Sequence, residues 1–481
     1  MRLRLASTQI RSAFLASILL LLVSACSDSA PGDRLLIEGG WLFDGVGDAP
    51  IPNPGLLVLG ERIERIGGVE GVDRSGLEVL TLSDQHYILP GMFDLHAHHN
   101  VNLVRGGRVD ETLVNPVLFL ANGATSVFPG GEYNPDRMAA LADRVERGEQ
   151  PGPRLFRSGA YYGDTRPDWN PEWTAEEVHA DVDYWVAQGA RGFKAKGIGP
   201  EPLRALIERA HFHGLTVTGH LGNGGRGSVN PREAVLMGID RVEHFLGGDA
   251  YPPDRPPYSS MSDNFRPDME EFRDIVELYI ANGTAYSATI TAFGYGGSRR
   301  ADLFEFWTDE SRFFTPYVRE LVDAAPPRRI NLQYDSVIVS KLNYIKAFHD
   351  MGGTLVLGTD NPSAGEYLPG FSVHRELHAF VLAGIPEADA LRIATINGAR
   401  ALGVDADLGT LEPGKYADLF VVEGNPFEDI RNTRNARWVM KAGTLHESEA
   451  LFRSVEGKLG PTGPDDHADW VTQPVSSMNP S

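Results

Sequence analysis

A repeated unit constrains this chain most: an apolar helical stretch closes on a glycine and passes straight into an apolar strand-like run. It recurs at Gly123, Gly189, Gly214, Gly238, Gly283 and Gly353, where glycine suits the left-handed turn after a helix. The pattern places eight strands near 91–98, 124–129, 153–158, 190–196, 215–220, 240–245, 284–289 and 354–360, with helical segments such as 174–188, 201–212 and 268–281 between them. Strands alternating with helices in this way read as α/β, and eight of them as a (β/α)8 TIM barrel over residues 89–403. With 481 residues and 42% hydrophobic content, the chain can bury a barrel core and a smaller companion domain.

The same strand ends carry metal-binding chemistry. In Leu89-Pro90-Gly91-Met92-Phe93-Asp94-Leu95-His96-Ala97-His98 the Pro-Gly pair opens a strand, and residues two apart on a strand point to one side, so both imidazoles face one point. Alone, such a pair reads equally well as two exposed histidines on a strand edge. Other runs add weight, because Val217-Thr218-Gly219-His220, Arg241-Val242-Glu243-His244 and Leu355-Val356-Leu357-Gly358-Thr359-Asp360 each end in a side chain that binds Zn²⁺ well. Lys194 stands in the corresponding place on the run 190–196. A barrel gathers its catalytic groups at this end of its strands.

The order of these six residues resembles the amidohydrolase superfamily of metal-dependent hydrolases, most nearly its imidazolonepropionase-like and prolidase-like branch. The resemblance runs from about Leu35 to Gly443 and includes Gly358-Thr359-Asp360, Ala394-Thr395-Ile396-Asn397-Gly398-Ala399 and Gly414-Lys415-Tyr416-Ala417-Asp418-Leu419. It implies that the stretches outside the barrel, about 34–88 and 404–445, pair into one composite β-sandwich. It also implies two divalent metal ions, with zinc the expected metal: His96, His98 and Asp360 on one, His220 and His244 on the other, and a carbamylated Lys194 across both.

Charge bears on the lysine that the resemblance places between the two ions; solvated lysines are the competing reading. Two dications about 3.5–4 Å apart repel by roughly 18 kcal/mol at an effective dielectric near 20, so anions must sit between them. A lysine that has taken up CO₂ becomes a carbamate with two bridging oxygens. The chain has seven lysines, two of them on one strand face in Gly192-Phe193-Lys194-Ala195-Lys196. Lys194 matches the family position, and Lys196 is the fallback. The chemistry implied is hydrolysis of a C–N bond, with a metal-bound hydroxide attacking a polarised carbonyl and Asp360 carrying its proton to the leaving nitrogen.

The substrate is read from loops. Tyr161-Tyr162-Gly163-Asp164-Thr165-Arg166-Pro167-Asp168-Trp169 offers Tyr161, Tyr162 and Arg166 as candidate substrate contacts, the arginine for a carboxylate, which suits a dipeptide or N-acyl amino acid. Packing of the loop's aromatics on themselves is the competing reading. A loop at about 246–267 with five prolines is a candidate lid. Alternatives on the same scaffold are a cyclic-amide or lactone hydrolase or a deaminase, although deaminases of the superfamily usually lack the lysine. A non-catalytic envelope binding lipoprotein is the alternative of another class, and it predicts missing ligands.

Other features bound partners and location. A net charge of −21 with no basic stripe argues against nucleic acid. Neither a Gly-x-Ser-x-Gly elbow nor a His-Glu-x-x-His helix occurs, which removes two common hydrolase designs. The remaining histidines, such as His211 and His213 at a helix end and His179, His374 and His378 on helices, need no metal. Arg2, Arg4 and Arg11 precede an apolar run, Ala13 to Val23, that ends in Ser24-Ala25-Cys26. This reads as a lipoprotein-type signal peptide over 1–25 with lipidation at Cys26, the chain's only cysteine. The expected location is the bacterial envelope, outer membrane facing the periplasm, with simple secretion as the alternative. Residues 456–481, rich in Pro, Ser and Asp, read as a loosely held tail.

Overall fold

The computed structural model describes residues 34–52, 54–103, 109–222, 228–247, 265–294, 309–325, 332–362 and 368–470. The signal segment, Cys26, most of the candidate lid and the end of the tail lie outside the described residues. No helix among the described residues is long and apolar enough to cross a membrane.

The flanks build one sheet. Strands β1 (Arg34–Leu42), β2 (Ile51–Pro52), β3 (Leu56–Leu59), β4 (Arg62–Ile66) and β5 (Glu78–Pro90) come from the N-terminal side. Late in the chain come β15 (Leu419–Glu423), β16 (Ala436–Lys441) and β17 (Thr444–Glu447). The order is β17-β16-β15-β5-β1-β3-β4, with β2 beside β1. The seam is antiparallel, with Leu419 opposite Pro90 and Val421 opposite Ile88. Its inward side chains, among them Leu35, Ile37, Val58, Ile88, Leu419, Val421 and Met440, form their own core. The ladders therefore join both flanks, as expected, but in a single sheet; two facing sheets of a sandwich do not appear in them.

Between the flanks the chain alternates strand and helix. β6 (Met92–Ala97), β9 (Ala124–Pro129) and β10 (Arg154–Leu155) form a parallel three-stranded sheet. β11 (Gly192–Lys196), β12 (Thr216–His220), β13 (Arg241–Glu243) and β14 (Ala285–Ser287) form a parallel four-stranded one. Two short pieces, β7 (Asn100–Val101) and β8 (Val109–Asp110), pair with each other beyond β6. Among the helices are Ala175–Ala187, Pro200–Phe212 and Glu270–Asn282, and the first is started by a reciprocal Thr174–Glu177 capping box. Five of the six expected turn glycines have positive φ. At the sixth place Gly352 takes the turn, while Gly353 lies so close to Phe348 that a Cβ would meet its ring at 2.3 Å.

The eighth expected strand, 354–360, is not a regular strand but a chain of hydrogen bonds to both neighbours. Tyr286 N donates to Thr354 O at 2.9 Å and Val356 N to Tyr286 O at 3.0 Å, while Leu95 N donates to Leu357 O at 2.9 Å and Asp360 N to His96 O at 2.8 Å. On the other side, Tyr162 N donates to Lys194 O at 2.9 Å and Lys196 N to Tyr162 O at 2.8 Å. The regular sheets alone do not close into an eight-stranded barrel. Glycines and the functional ends of short strands interrupt the ladders.

After β17 a helix, Ser448–Val455, packs Leu451, Phe452 and Val455 into the core. Leu459 is fully buried, donates its N–H to Phe313 O at 2.8 Å and accepts from Thr315 N at 3.0 Å. Gly457 N also donates to Arg312 O and Thr315 Oγ1 to Pro461 O, so residues 456–461 of the expected loose tail are fastened down.

Candidate metal centre

Ligand candidates converge from both sheets. His98 Nε2 lies 2.8 Å and His96 Nε2 3.4 Å from Asp360 Oδ1. The imidazoles of His96 and His244 are 5.0 Å apart between centroids, and those of His220 and His244 4.2 Å. Lys194 Nζ is 3.4 Å from His96 Nε2 and in direct contact with Glu243 Oε2. Two sets, His96–His98–Asp360 and His96–Glu243–His244, hold their ligand atoms within 4.8 Å of one another. All six sequence candidates therefore meet at one place. Lys196, on the same face of β11, is less buried and pairs in register with His220.

Buried surroundings fix the protonation of these groups. Burial, and then the nearby Lys194, holds His96 well below the ordinary histidine range; burial and neighbouring cationic groups do the same to His220 and His244. Neutral imidazole is the form that binds metal. Burial pushes the Asp360 carboxyl upward, but its hydrogen bond to His98 and the charges of His98 and Lys194 outweigh this and leave it lowered. Burial drives the Lys194 amine well below its ordinary value.

Supporting residues lock the geometry. Asp94 Oδ1 accepts from the backbone N–H of His96 and of Thr359, both at 3.1 Å, and its Oδ2 accepts from Thr359 Oγ1 at 2.7 Å. β6 and the segment that carries Asp360 are thereby tied together. The Asn100 carboxamide lies 3.1 Å from His98 Nδ1, and its oxygen has no hydrogen-bond partner among the described residues. Turned over, that oxygen accepts an Nδ1–H and leaves Nε2 as a ligand atom. Glu243 Oε1 accepts from Thr218 Oγ1 at 2.9 Å.

Backbone strain is concentrated here. Four non-glycine residues among those described have positive φ, and three belong to the site: His244 at 66°, Thr289 at 51° and Asp360 at 55°. Each such conformation costs on the order of 1–3 kcal/mol and persists only where its surroundings over-determine it. Close approach is a second mark: a Cβ on Gly130 would meet His96 Cδ2 at 2.5 Å, and one on Gly358 would meet Ser287 Oγ at 2.4 Å.

The residues fit a metal. The ring nitrogens His96 Nδ1 and His244 Nε2 are buried without a hydrogen-bond partner among the described residues, and imidazole with carboxylate is the donor set that zinc and related ions take. The arrangement is a His-rich candidate metal site.

Substrate contacts fare differently. Arg166 is already engaged: Asp181 takes it bidentately at 2.7 and 3.0 Å, Asp168 at 2.8 and 3.0 Å, and it lies over Trp173 at 5.1 Å. Its guanidinium is thus paired with Asp168 of the loop and with Asp181 of the helix that follows, which supports a packing role for it over contact with a substrate carboxylate. Tyr162 is fully buried and packs edge-on against Phe193 and Trp169, so the packing reading describes it. Tyr161 packs on Gly131, where a Cβ would meet its ring at 2.1 Å, next to the Gly130 that His96 packs on. Sequence reading missed Glu243, Thr218, Thr289, Asp94 and Asn100. Thr218, Asp94 and Asn100 each stand two residues from a ligand, a strand-period signal. Glu243 is adjacent to His244 and would face away from it on a regular strand; the left-handed His244 brings both to one centre.

The structure thus offers a His-rich candidate metal site at the ends of parallel strands, and the comparisons give its family. The profile of the amidohydrolase family matches residues 87–445, so the chain belongs to that family. It is 24% identical to adenine deaminase 2 of Jannaschia sp. over 376 residues, 73% of this chain and 54% of that protein; it thus spans about half the length of that relative. It is 23% identical to ochratoxinase of Aspergillus niger over 507 residues, covering 92% of this chain and 91% of that one. Among solved structures, a Xaa-Pro dipeptidase with methionine bound in its active site superposes with a TM-score of 0.64 at 24% identity, over 86% of this chain and all of that one.

Proposed function

We propose that this enzyme cleaves the C–N bond of a small amide, a dipeptide or an N-acyl amino acid, at a centre that holds two divalent ions. The convergence of His96, His98, Lys194, His220, His244 and Asp360 carries the reading. His96, His98 and Asp360 would hold one ion, His220 and His244 the other, with Lys194 as carbamate between them; the lowered Lys194 amine is the nucleophilic form that CO₂ requires. When bound, such ions supply Lewis acidity and lower the pKa of water. Asp360, beside both His96 and His98, takes a proton from the attacking water and passes it to the leaving nitrogen. The backbone bonds from 354–360 to β6 and β14, and from Tyr162 to β11, support reading the two parallel sheets as parts of one (β/α)8 barrel.

A deaminase reading is favoured by the adenine deaminase match, and the products separate the two. Protein loaded with zinc and bicarbonate is assayed for metal content and offered dipeptides, N-acyl amino acids, cyclic amides, lactones and aminopurines. About two metals per chain and a free amine from an acyclic amide are expected. One metal, or ammonia from aminopurines alone, overturns the reading. We further propose an envelope lipoprotein on the sequence around Cys26; Cys26→Ser should release the protein from the membrane fraction, and unchanged fractionation refutes this.

A further inference from the structure

A fully buried lysine lies behind the centre. Lys341, on the helix Leu332–Asp350, is 0% exposed and sits over the rings of Phe245 and Phe293, 4.7 Å from each centroid. Burying a cation is expensive, so it stays only where its hydrogen bonds are used. Its Nζ donates to His244 O and to Ala288 O, the latter at 2.6 Å. These carbonyls belong to the left-handed His244 and to the residue before left-handed Thr289. Tyr286 Oη donates to the same His244 oxygen at 2.8 Å.

The bonds form a ring. His244 Nδ1 lies 2.6 Å from Thr289 Oγ1, Thr289 Oγ1 donates to Ala288 O at 2.7 Å, and Lys341 joins Ala288 O to His244 O. A threonine hydroxyl has one proton. Given to Ala288, it leaves the oxygen to accept from His244, which must then carry its proton on Nδ1. Nε2 is left bare, and it is the buried ring atom with no hydrogen-bond partner among the described residues. Glu376 fixes the next turn, accepting from Ile290 N and Thr291 N, both at 2.8 Å.

We infer that Lys341 is a positioning residue which, through Thr289, sets the tautomer and direction of His244 so that Nε2 faces the metal. The inference rests on His244 being a ligand. Two readouts other than turnover test it. In metal-free protein labelled with ¹⁵N-histidine, the His244 signals, identified by their loss in His244→Gln, should report a single Nδ1–H tautomer in the wild type and a mixture in Lys341→Met and Thr289→Val, with Thr289→Ser restoring the single form. Titrated with cobalt(II) alone, both variants should bind at least about 10-fold more weakly at one site, with an altered visible spectrum. If Lys341→Met does not fold, the Thr289→Val and Thr289→Ser pair decides. Wild-type tautomer and cobalt affinity in the folded variants would overturn the inference. Wild-type cobalt stoichiometry tests the two-ion reading separately, because the tautomer is read without metal.

Discussion

Asp360 is held in a left-handed backbone between His96 O, which accepts its N–H, and the imidazoles it faces. In the proposed mechanism it is both metal ligand and proton carrier, needed when water attacks and again when the amine leaves. Asp360→Asn should lower kcat by at least about 10²-fold while product-analogue affinity changes far less; wild-type turnover with metals retained would remove it from the mechanism. Gly130 makes a steric test. Because the His96 ring lies where a Cβ would go, Gly130→Ala should displace that ligand and cut zinc affinity by roughly 10–100-fold with the circular dichroism spectrum unchanged; unaltered zinc binding would mean the ring moves freely. At this scale the meeting of the six candidates was legible, since they stand at or near the ends of apolar runs whose period sets their direction. The difference between Lys194 and Lys196 was not, because both occupy one face of β11 and only the fold shows that Lys194 is the more deeply buried and touches His96 and Glu243. Nor was Glu243, whose direction depends on a φ that no side-chain pattern announces.

At the scale of elements, Arg166 shows how a loop is tied to the helix after it. The loop at 161–173 looks like a binding loop because it concentrates aromatics, yet Arg166 reaches Asp181 on the following helix, a partner fifteen residues along that a linear reading does not pair with it. Arg166→Ala should therefore cost roughly 1–3 kcal/mol of stability through its charged hydrogen bonds, seen as a lower Tm, with KM for a carboxylate substrate unchanged. A rise in KM at constant Tm would return Arg166 to the substrate. Strand positions were legible to within a few residues from the helix, glycine and strand repeat. The irregular 354–360 segment was not, because its apolar pattern is that of a strand while Gly358 and left-handed Asp360 break the ladder. The flanks' single sheet was also hidden, since alternation fixes which face is buried and not how many layers form.

For the molecule as a whole, buried neutral groups set the acid limit. Burial, with Arg434 and Arg375 nearby, holds His374 down to about 3, whereas an ordinary histidine titrates near 6.5. The unfolded chain then binds a proton that the folded one refuses, so stability is intact above about pH 6.5 and falls as pH drops toward 3, by up to about 1.4 kcal/mol per pH unit for this one group. His374→Gln should flatten the acid limb of Tm against pH; an unchanged slope would mean that His374 protonates in the folded state.

The seam between β5 and β15 orders the molecule in time. A growing chain makes β5 early and must complete the whole catalytic region before Leu419 exists to cover that edge. Until then β5 offers unpaired N–H and C=O groups to any other strand, and the pairing that closes it spans most of the sequence, which slows the search for it. Completion of the sheet therefore waits on the whole region between the flanks: a chain cut short within it keeps the edge of β5 open.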